Sequence, residues 1–313
     1  MKLRDIGEGS LIRKIRDCFP QQARRVRVGI GDDAAIFDLP PGHSAVFCSD
    51  LVAENSHFIR NLHPADSIGY KSVAVNVSDV GAMGGTPMYF LISLAAPGDL
   101  EFSWIEGFLD GVARACHDFN VLLLGGDTSS SERIFIDVSM IGQVPADRFV
   151  RRSGAQPGDS VYVTGSLGGS ALGLERLKSG LLNDPAVTRH LYPQPRYLVG
   201  AVVADRAHAM IDISDGFSTD LGHILEESKV SARIYRERFP VAPGASDVQA
   251  LHGGEEYELI VVARDLPAEI EGVTVTGVGE IIESGMEHQA FLIDGTQESL
   301  LQPQGWQHFG QVR

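Results

Sequence analysis

The sequence predicts an α/β (α+β) fold in two domains, with mixed sheets and flanking helices. Apolar runs of strand length alternate with segments of helical periodicity along the chain. At 313 residues the chain is long for a single compact core. Residues 145–159 interrupt the alternation with proline, glycine and charge. We therefore expect one domain over residues 1–147 and a second over residues 148–313.

The first half contains five predicted strands and two predicted helices. The strands are apolar runs bounded by turn residues, at 26–30, 45–48, 89–94, 121–124 and 134–141. Residues 38–43, with two prolines and a glycine, form a turn. Residues 66–83 are predicted to be helical. The clearest helix covers 103–119, where apolar residues recur at helical spacing and Ser103 with Glu106 has the capping-box pattern.

The second half restarts the alternation. Predicted strands cover 161–165, 209–213, 257–263 and 273–278. Predicted helices cover 171–178, the segment from Pro193–Pro195 through Val203, and 218–227. The glycine-rich turn 165–169 precedes the first of these helices, and such turns are common for packing reasons alone.

Composition excludes several classes of function. Lys and Arg number 26 against 41 Asp and Glu, a net charge of -15, which argues against nonspecific binding to nucleic acid. Three scattered cysteines form neither a disulfide framework nor a zinc pattern and favour a reducing compartment. We expect no membrane span, no signal peptide and a cytoplasmic location, since no apolar run approaches the necessary length.

Acidic residues recur among Gly, Ser and Thr, where apolar runs end or helices turn. The series comprises Asp32-Asp33, Ser49-Asp50, Ser78-Asp79, Gly126-Asp127 and Asp212–Gly216. Carboxylates that converge repel each other, and hard divalent cations are the usual means of neutralising them. Adjacent glycines let backbone N–H groups approach an anion. This combination indicates chemistry on phosphate groups bridged by metal ions.

Two glycine-containing segments have alternative interpretations. Residues 29–34 (GIGDDA) mimic a dinucleotide fingerprint, but Pro40-Pro41-Gly42 makes a turn where the fingerprint requires a helix. A metal-binding turn is favoured, with a solvated acidic turn as the alternative. The chain contains no Walker motif and no protein-kinase catalytic loop, so a phosphoryl-transfer enzyme here must use another architecture.

Other single residues also allow two readings. Asp79 shares one face of a small-residue helix with Asn76, which favours a functional acid over a solvated one. His57 either binds a ligand or caps a strand. Glu255 and Glu256 follow two glycines, which favours a ligand-facing turn. Trp306 is either a core residue or an aromatic lid.

Taken together, the motifs resemble the thiamine-monophosphate kinase family of the aminoimidazole ribonucleotide synthetase-like superfamily. The match covers nearly the whole chain, and the order and spacing of its motifs are specific. The motifs are GIGDDA (29–34), KSVAVNVSDVGAM (71–83), GGDT (125–128), RSGA (152–155), MIDISDG (210–216), DLGH (220–223) and GGEEYEL (253–259).

The resemblance implies a two-domain fold of this superfamily and phosphorylation of thiamine monophosphate by ATP. It implies several Mg²⁺ ions, with K⁺ as a further candidate cofactor, and a homodimer formed through the first domains. The implied metal ligands are Asp33, Cys48, Ser49, Asp50, Asp79, Asp127, Asp212 and Asp215, among which Asp33, Asp50, Asp79, Asp127 and Asp212 are the implied catalytic set. The implied ATP contacts are Gly126, Asp127, Arg152 and Ser214, and the implied thiamine contacts are His57, Glu255 and Trp306.

The chain departs from the family pattern at Cys48, where a Ser or Thr hydroxyl is expected, and at Glu256, where Asp is usual. Selenophosphate synthetase and the hydrogenase maturation protein are disfavoured, because their characteristic cysteines are absent. Aminoimidazole ribonucleotide synthetase is the alternative enzyme. A nucleotide- or metal-binding protein without catalysis is the alternative of a different class.

Overall fold

The computed structural model describes residues 1–19, 25–30, 34–285 and 287–306. Its contacts divide the chain into two compact units. The first contains Met1–Val80 and Gly85–Ala146, and the second contains Gly81–Gly84 and Asp147–Arg313. Each unit combines helices with a mixed sheet, which confirms the predicted class of fold.

The elements up to residue 145 build a four-stranded sheet with helices. In chain order they are α1 (Leu3–Ile6), α2 (Glu8–Cys18), β1 (Val26–Val28), β2 (Ile36–Phe37), β3 (His43–Ala53), α3 (Ala65–Ala82), β4 (Thr86–Ala96), α4 (Phe102–Phe119), β5 (Leu122–Ser130) and β6 (Phe135–Pro145). The sheet order is β3-β6-β4-β5, in which only β4 and β5 run parallel. Strands β1 and β2 form a separate antiparallel pair.

The four-stranded sheet has one core face and one open face. Side chains alternate along β6, where Ile136, Val138 and Met140 are fully buried. On the opposite face, four large apolar side chains are 38% to 66% exposed: Phe47, Leu51, Leu91 and Phe135. An exposed apolar patch of this kind marks an interaction surface more often than a solvated one.

Two strands of this sheet are longer than the sequence predicts. Ser49 and Asp50 lie within β3 rather than after it, and Gly125–Thr128 continue β5 instead of forming a turn. The absence of a side chain at Gly126 permits this extension, because a Cβ there would lie 1.8 Å from the carbonyl oxygen of Ile92 on β4.

The helix predictions for this unit are largely confirmed. Helix α4 buries Ile105, Phe108 and Val112, as its periodicity indicates. The predicted capping box is wrong, because the helix begins at Phe102 with Glu101 at the N-cap and without a side-chain capping bond. Helix α2 was not predicted, although Leu11, Ile12 and Ile15 show helical spacing.

The second unit is built around a larger sheet. Its elements are β7 (Ser160–Thr164), α5 (Gly169–Lys178), α6 (Pro185–Leu191), α7 (Tyr197–Val203), β8 (Ala207–Asp212), α8 (Phe217–Ser228), β9 (Ser231–Tyr235), a 3₁₀ turn (Arg236–Arg238), α9 (Asp247–His252), β10 (Leu259–Ala263), β11 (Glu269–Ile270), β12 (Val273–Ile282), β13 (Ala290–Asp294) and β14 (Gln297–Leu300). The strand order is β14-β13-β9-β12-β7-β10-β8, with β11 paired to β12.

The central strands of this sheet carry the core. Val161, Val163, Ile260 and Val262 are fully buried and pack in one cluster with Ile224 of α8. Strand β8 ends at Asp212, one residue before the predicted end, so Ser214 lies in the following loop. Among the described residues, no helix has the length and apolar character to cross a membrane.

Candidate active site

Two carboxylates meet between strand β3 and helix α3. The side chain of Asp50 forms a hydrogen bond with that of Asp79. Burial raises the pKa of the Asp50 carboxyl; the bond to Asp79 lowers it, and the negative charge of Asp137 raises it. Two carboxylates in contact require a shared proton or a cation, so this pair fits a hard divalent ion.

Ser49 faces away from this pair. Because side chains alternate along β3, Ser49 lies on the open face of the sheet. Its hydroxyl donates to Oδ1 of Asp137 at 2.9 Å and lies 3.2 Å from the hydroxyl of Ser139. The side chains of Ser49 and Asp50 therefore lie on opposite faces of the sheet.

Asp127 belongs to the same open face as Asp137. The strand register aligns Asp127 with Asp137 across the sheet, since both residues pair with Ser93 on β4. The carboxylate of Asp127 accepts a bond from the N–H of Thr128 at 2.9 Å. Asp137 was not predicted as a site residue; its signal was a lone acid in an apolar strand.

Cys48 lies on the helix-facing side of β3. Its thiol Sγ lies 3.6 Å from both the carbonyl oxygen and Oδ1 of Asn76 on α3. The thiol is therefore engaged by a helix residue. Asp33, the remaining predicted ligand of the first domain, lies outside the described residues.

The loop that follows β8 forms the centre of the second group of site residues. Asp212 is 5% exposed at the end of the strand. Oδ2 of Asp220, in the first turn of α8, accepts bonds from the N–H groups of Ser214, Asp215 and Gly216 at 3.0–3.1 Å. The sequence analysis assigns no role to Asp220 beyond its place in the motif DLGH. These bonds show that its carboxylate holds the loop in place.

Negative charge accumulates around this loop. Burial, together with the negative charges of Asp212 and Asp215, raises the pKa of Asp220 to about 8, against the hydrogen bonds that lower it. One potential ligand atom each of Asp215, Asp220 and His223 lies within 4.8 Å of the others. Two carboxylates and an imidazole that crowd in this way fit a divalent cation.

Two predicted thiamine-side residues attach directly to this loop. The N–H of Glu255 donates to the carbonyl oxygen of Ser214 at 2.7 Å, and the N–H of Trp306 donates to that of Asp215 at 3.0 Å. Trp306 is 53% exposed, so it is not a core residue. Glu255 and Trp306 thus lie beside Ser214 and Asp215.

The two adjacent glutamates of GGEEYEL differ in burial. The Glu256 side chain is fully buried and lies 2.9 Å from the guanidinium of Arg189. Burial raises the pKa of Glu256 to about 7, although Arg189 lowers it. The Glu255 side chain is 28% exposed. Glu256 is therefore a structural residue, and of the two only Glu255 has a side chain that is accessible from solvent.

His57 and Arg152 have local structural contacts. Nδ1 of His57 accepts a bond from the N–H of Ala53 at 3.0 Å, where β3 ends. The structure thus shows the strand-capping contact that was one of its two interpretations. Arg152 is exposed, and its carbonyl oxygen accepts a bond from the hydroxyl of Ser228 at 3.2 Å.

Comparison with known proteins identifies the class first. Residues 31–144 match the family of AIR synthase related proteins over its N-terminal domain, and residues 156–288 match over its C-terminal domain. The chain therefore belongs to this class of two-domain proteins.

Individual relatives narrow the class. The chain is 36% identical to the thiamine-monophosphate kinase of Escherichia coli O157:H7, over 97% of this chain and 98% of the relative. It resembles the crystal structure of thiamine-monophosphate kinase from Stenotrophomonas maltophilia K279a, with a TM-score of 0.81, 31% identity and coverage of 90% and 95%. It also resembles AaThiL complexed with AMPPCP and TMP, with a TM-score of 0.77, 34% identity and 99% coverage of each chain. The chain is a member of the thiamine-monophosphate kinase family, a family of phosphotransferases.

Proposed function

We propose that this protein transfers the γ-phosphoryl group of ATP to thiamine monophosphate and forms thiamine diphosphate. Membership of the family supports this reaction. Further support comes from AaThiL, which was solved with AMPPCP, an analogue of ATP, and TMP.

The observation that carries the proposal is the attachment of Glu255 and Trp306 to consecutive carbonyl groups of the Ser214-Asp215 loop. Ser214 is the proposed ATP contact and Asp215 a proposed metal ligand. An anionic side chain and an exposed aromatic ring fit the cationic thiazolium of the acceptor, with cation–π attraction worth about 0.5–2 kcal/mol. Donor and acceptor would therefore meet along one short loop.

An apolar cavity in the first unit provides a place for the base of ATP. It has a volume of about 100 Å³ and adjoins Gly126 and Asp127. Aliphatic and aromatic side chains line it, among them Leu11, Ile15, Ile92, Phe108 and Leu109.

Among the residues that the structure describes, no Ser–His or His–Asp pair occupies a proposed reactive position, and the reaction requires none. The acceptor is a phosphate monoester whose second pKa is about 6, so it already carries a nucleophilic oxygen at neutral pH. The protein must hold two anions in line. We assign Asp33, Asp50, Asp79, Asp127, Asp212 and Asp215 as the carboxylates that hold Mg²⁺, with Cys48 and Ser49 as weaker candidates. Bound Mg²⁺ would screen the repulsion and stabilise charge on the transferred group.

The remaining residues bind the substrates. Gly126, Arg152 and Ser214 contact ATP in this proposal, and His57 joins Glu255 and Trp306 on the thiamine side. An in-line transfer without a phosphoenzyme follows from an acceptor that is already ionised. A potassium ion and a cytoplasmic location stay predictions.

We also propose a homodimer formed through the open sheet face of the first unit. The exposed Phe47, Leu51, Leu91 and Phe135 support this surface as the interface. Light scattering on the wild type should give the mass of a dimer. Leu51→Asp should give a monomer, and a dimeric variant would assign the contact to another surface.

Acceptor comparison tests the reaction. ADP release is measured with ATP and Mg²⁺ in the presence of thiamine monophosphate, thiamine, or the precursor of aminoimidazole ribonucleotide. The proposal is supported if thiamine monophosphate is the only acceptor that stimulates ADP release and if EDTA abolishes this stimulation. Stimulation by the aminoimidazole precursor would favour the alternative enzyme. Binding of ATP without turnover on any acceptor would favour a non-catalytic protein.

A further inference from the structure

Ser170, the second residue of α5, connects to both adjacent glutamates of the motif GGEEYEL. Its N–H donates to Oε1 of Glu256 at 2.9 Å. Its hydroxyl lies 3.0 Å from Nδ1 of His190 on α6. Ser170 and His190 are each only 1% exposed. Polar groups that are buried to this extent normally have hydrogen-bond partners within the protein.

His190 continues this connection to Glu255. The same Nδ1 atom lies 3.6 Å from Oε2 of Glu255. A carboxylate only accepts hydrogen bonds, so a bare Nδ1 lone pair would repel it. Both contacts therefore favour a hydrogen on Nδ1, which Ser170 Oγ accepts and which attracts Glu255.

Glu255 needs such support, because its backbone is in the left-handed region with φ of 60°. A non-glycine residue in this region costs of order 1 kcal/mol and persists when its surroundings determine it. The bond from its N–H to Ser214 fixes one side, and burial of Glu256 against Arg189 fixes the next residue. These contacts fix the backbone, and His190 contacts the carboxylate itself.

The glycine-rich turn 165–169 explains how α5 reaches this position. A Cβ at Gly169 would lie 2.6 Å from Cδ of Arg189, the neighbour of His190. The turn therefore allows the start of α5 to pack closely against α6. This close packing accounts for the motif without any phosphate ligand.

We propose that Ser170 and His190 are positioning residues that hold the Glu255 carboxylate towards the cationic ring of the phosphate acceptor. This inference rests on the proposed function. It predicts that their removal weakens binding of a cationic acceptor selectively, while ATP binding and the fold are retained.

The test compares two replacements of His190 that differ in where they place an N–H. The amide nitrogen of Asn overlies Nδ1, whereas that of Gln overlies Nε2. His190→Gln should raise the KM for thiamine monophosphate by about five- to ten-fold, the effect of losing the one net hydrogen bond that Nδ1–H donates to Oγ of Ser170. His190→Asn should restore most of this loss, and the KM for ATP should not change in either variant. Ser170→Ala retains the backbone bond to Glu256 and provides a second test if the His190 variants do not fold.

Three comparisons distinguish positioning from general loosening. Val187→Ala removes a buried side chain from the same helix and should lower Tm without changing either KM. In a Glu255→Gln background the His190 effect should vanish. An analogue with an uncharged thiophene in place of the thiazolium should show little change in KM.

Equal losses for the charged and uncharged acceptors would overturn the proposal, and so would an undiminished His190 effect in the Glu255→Gln background. A wild-type protein without thiamine-monophosphate kinase activity would instead refute the proposed function. The two failures are therefore distinguishable.

Discussion

Gly305→Ala should weaken the thiamine side of the site while leaving the side chain of every proposed metal ligand and substrate contact chemically unchanged. A Cβ at position 305 would lie 2.2 Å from the carbonyl oxygen of Asp215 and 2.5 Å from Oγ1 of Thr219. Ordinary contact requires a separation of more than 3 Å, so the chain must move by roughly 1 Å. The loop around Asp215 is held by three bonds to Asp220, and the segment that contains Trp306 will therefore yield.

The movement breaks the 3.0 Å bond between the N–H of Trp306 and the carbonyl of Asp215. Introducing one methyl group into a packed contact costs about 1–3 kcal/mol. We expect the KM for thiamine monophosphate to rise by about ten-fold, with little change for ATP. Steady-state kinetics with each substrate varied in turn measures both constants.

Gly285→Ala provides the control, because a Cβ there meets nothing within 4 Å and its φ is ordinary. It should leave both Michaelis constants unchanged. Unchanged kinetics in Gly305→Ala would refute the positioning of Trp306 by this contact. Equal weakening of both substrates would show that the loop, rather than Trp306, moves.

Three further changes test other parts of the site. Asp79→Asn should reduce kcat to less than about a tenth, a loss above 1.4 kcal/mol, with an unchanged circular dichroism spectrum, because the amide can bond to Asp50 without a cation; a higher rate contradicts its assignment as a metal ligand. Cys48→Ser should keep or modestly raise activity, since oxygen suits Mg²⁺ better than sulfur and still reaches Asn76; a severe loss would show a role for the thiol. Glu256→Gln should remove a pH dependence of stability. The folded protein keeps a proton on Glu256 that the unfolded chain releases between pH 4.5 and about 7, so the wild type loses roughly 3 kcal/mol more than the variant across that window. Urea unfolding at pH 4.5 and 7.5 measures the difference, and a constant gap between the two proteins would refute the buried proton.

The sequence predicts the carboxylate set and most of the elements that carry it, because both depend on local pattern. The Asp50–Asp79 contact lies beyond that reach, since it joins residues 50 and 79 through the packing of a helix on a strand. The true length of β3 and β5 was missed for a related reason. Strand pairing extends each of them through polar residues that local propensity assigns to turns.

The different surroundings of Glu255 and Glu256 were also beyond prediction. They depend on left-handed backbone at Glu255 and on the distant Arg189, and neither has a signal in GGEEYEL. The role of Asp220 was hidden because its partners are backbone N–H groups, which every residue except proline has. For the glycine-rich turn 165–169, the sequence suggests a packing role but not the residues that it packs against. The residues that it packs against appear only in the structure.

The most direct test of the central claim follows the phosphorus atom. ATP labelled in the γ-phosphate is mixed with the protein, Mg²⁺ and thiamine monophosphate, and the products are separated by chromatography. The account predicts label in the terminal phosphate of thiamine diphosphate, in a one-to-one ratio with ADP, and no label on the denatured protein. Label in inorganic phosphate alone, or on the protein as an intermediate, would contradict direct transfer to thiamine monophosphate.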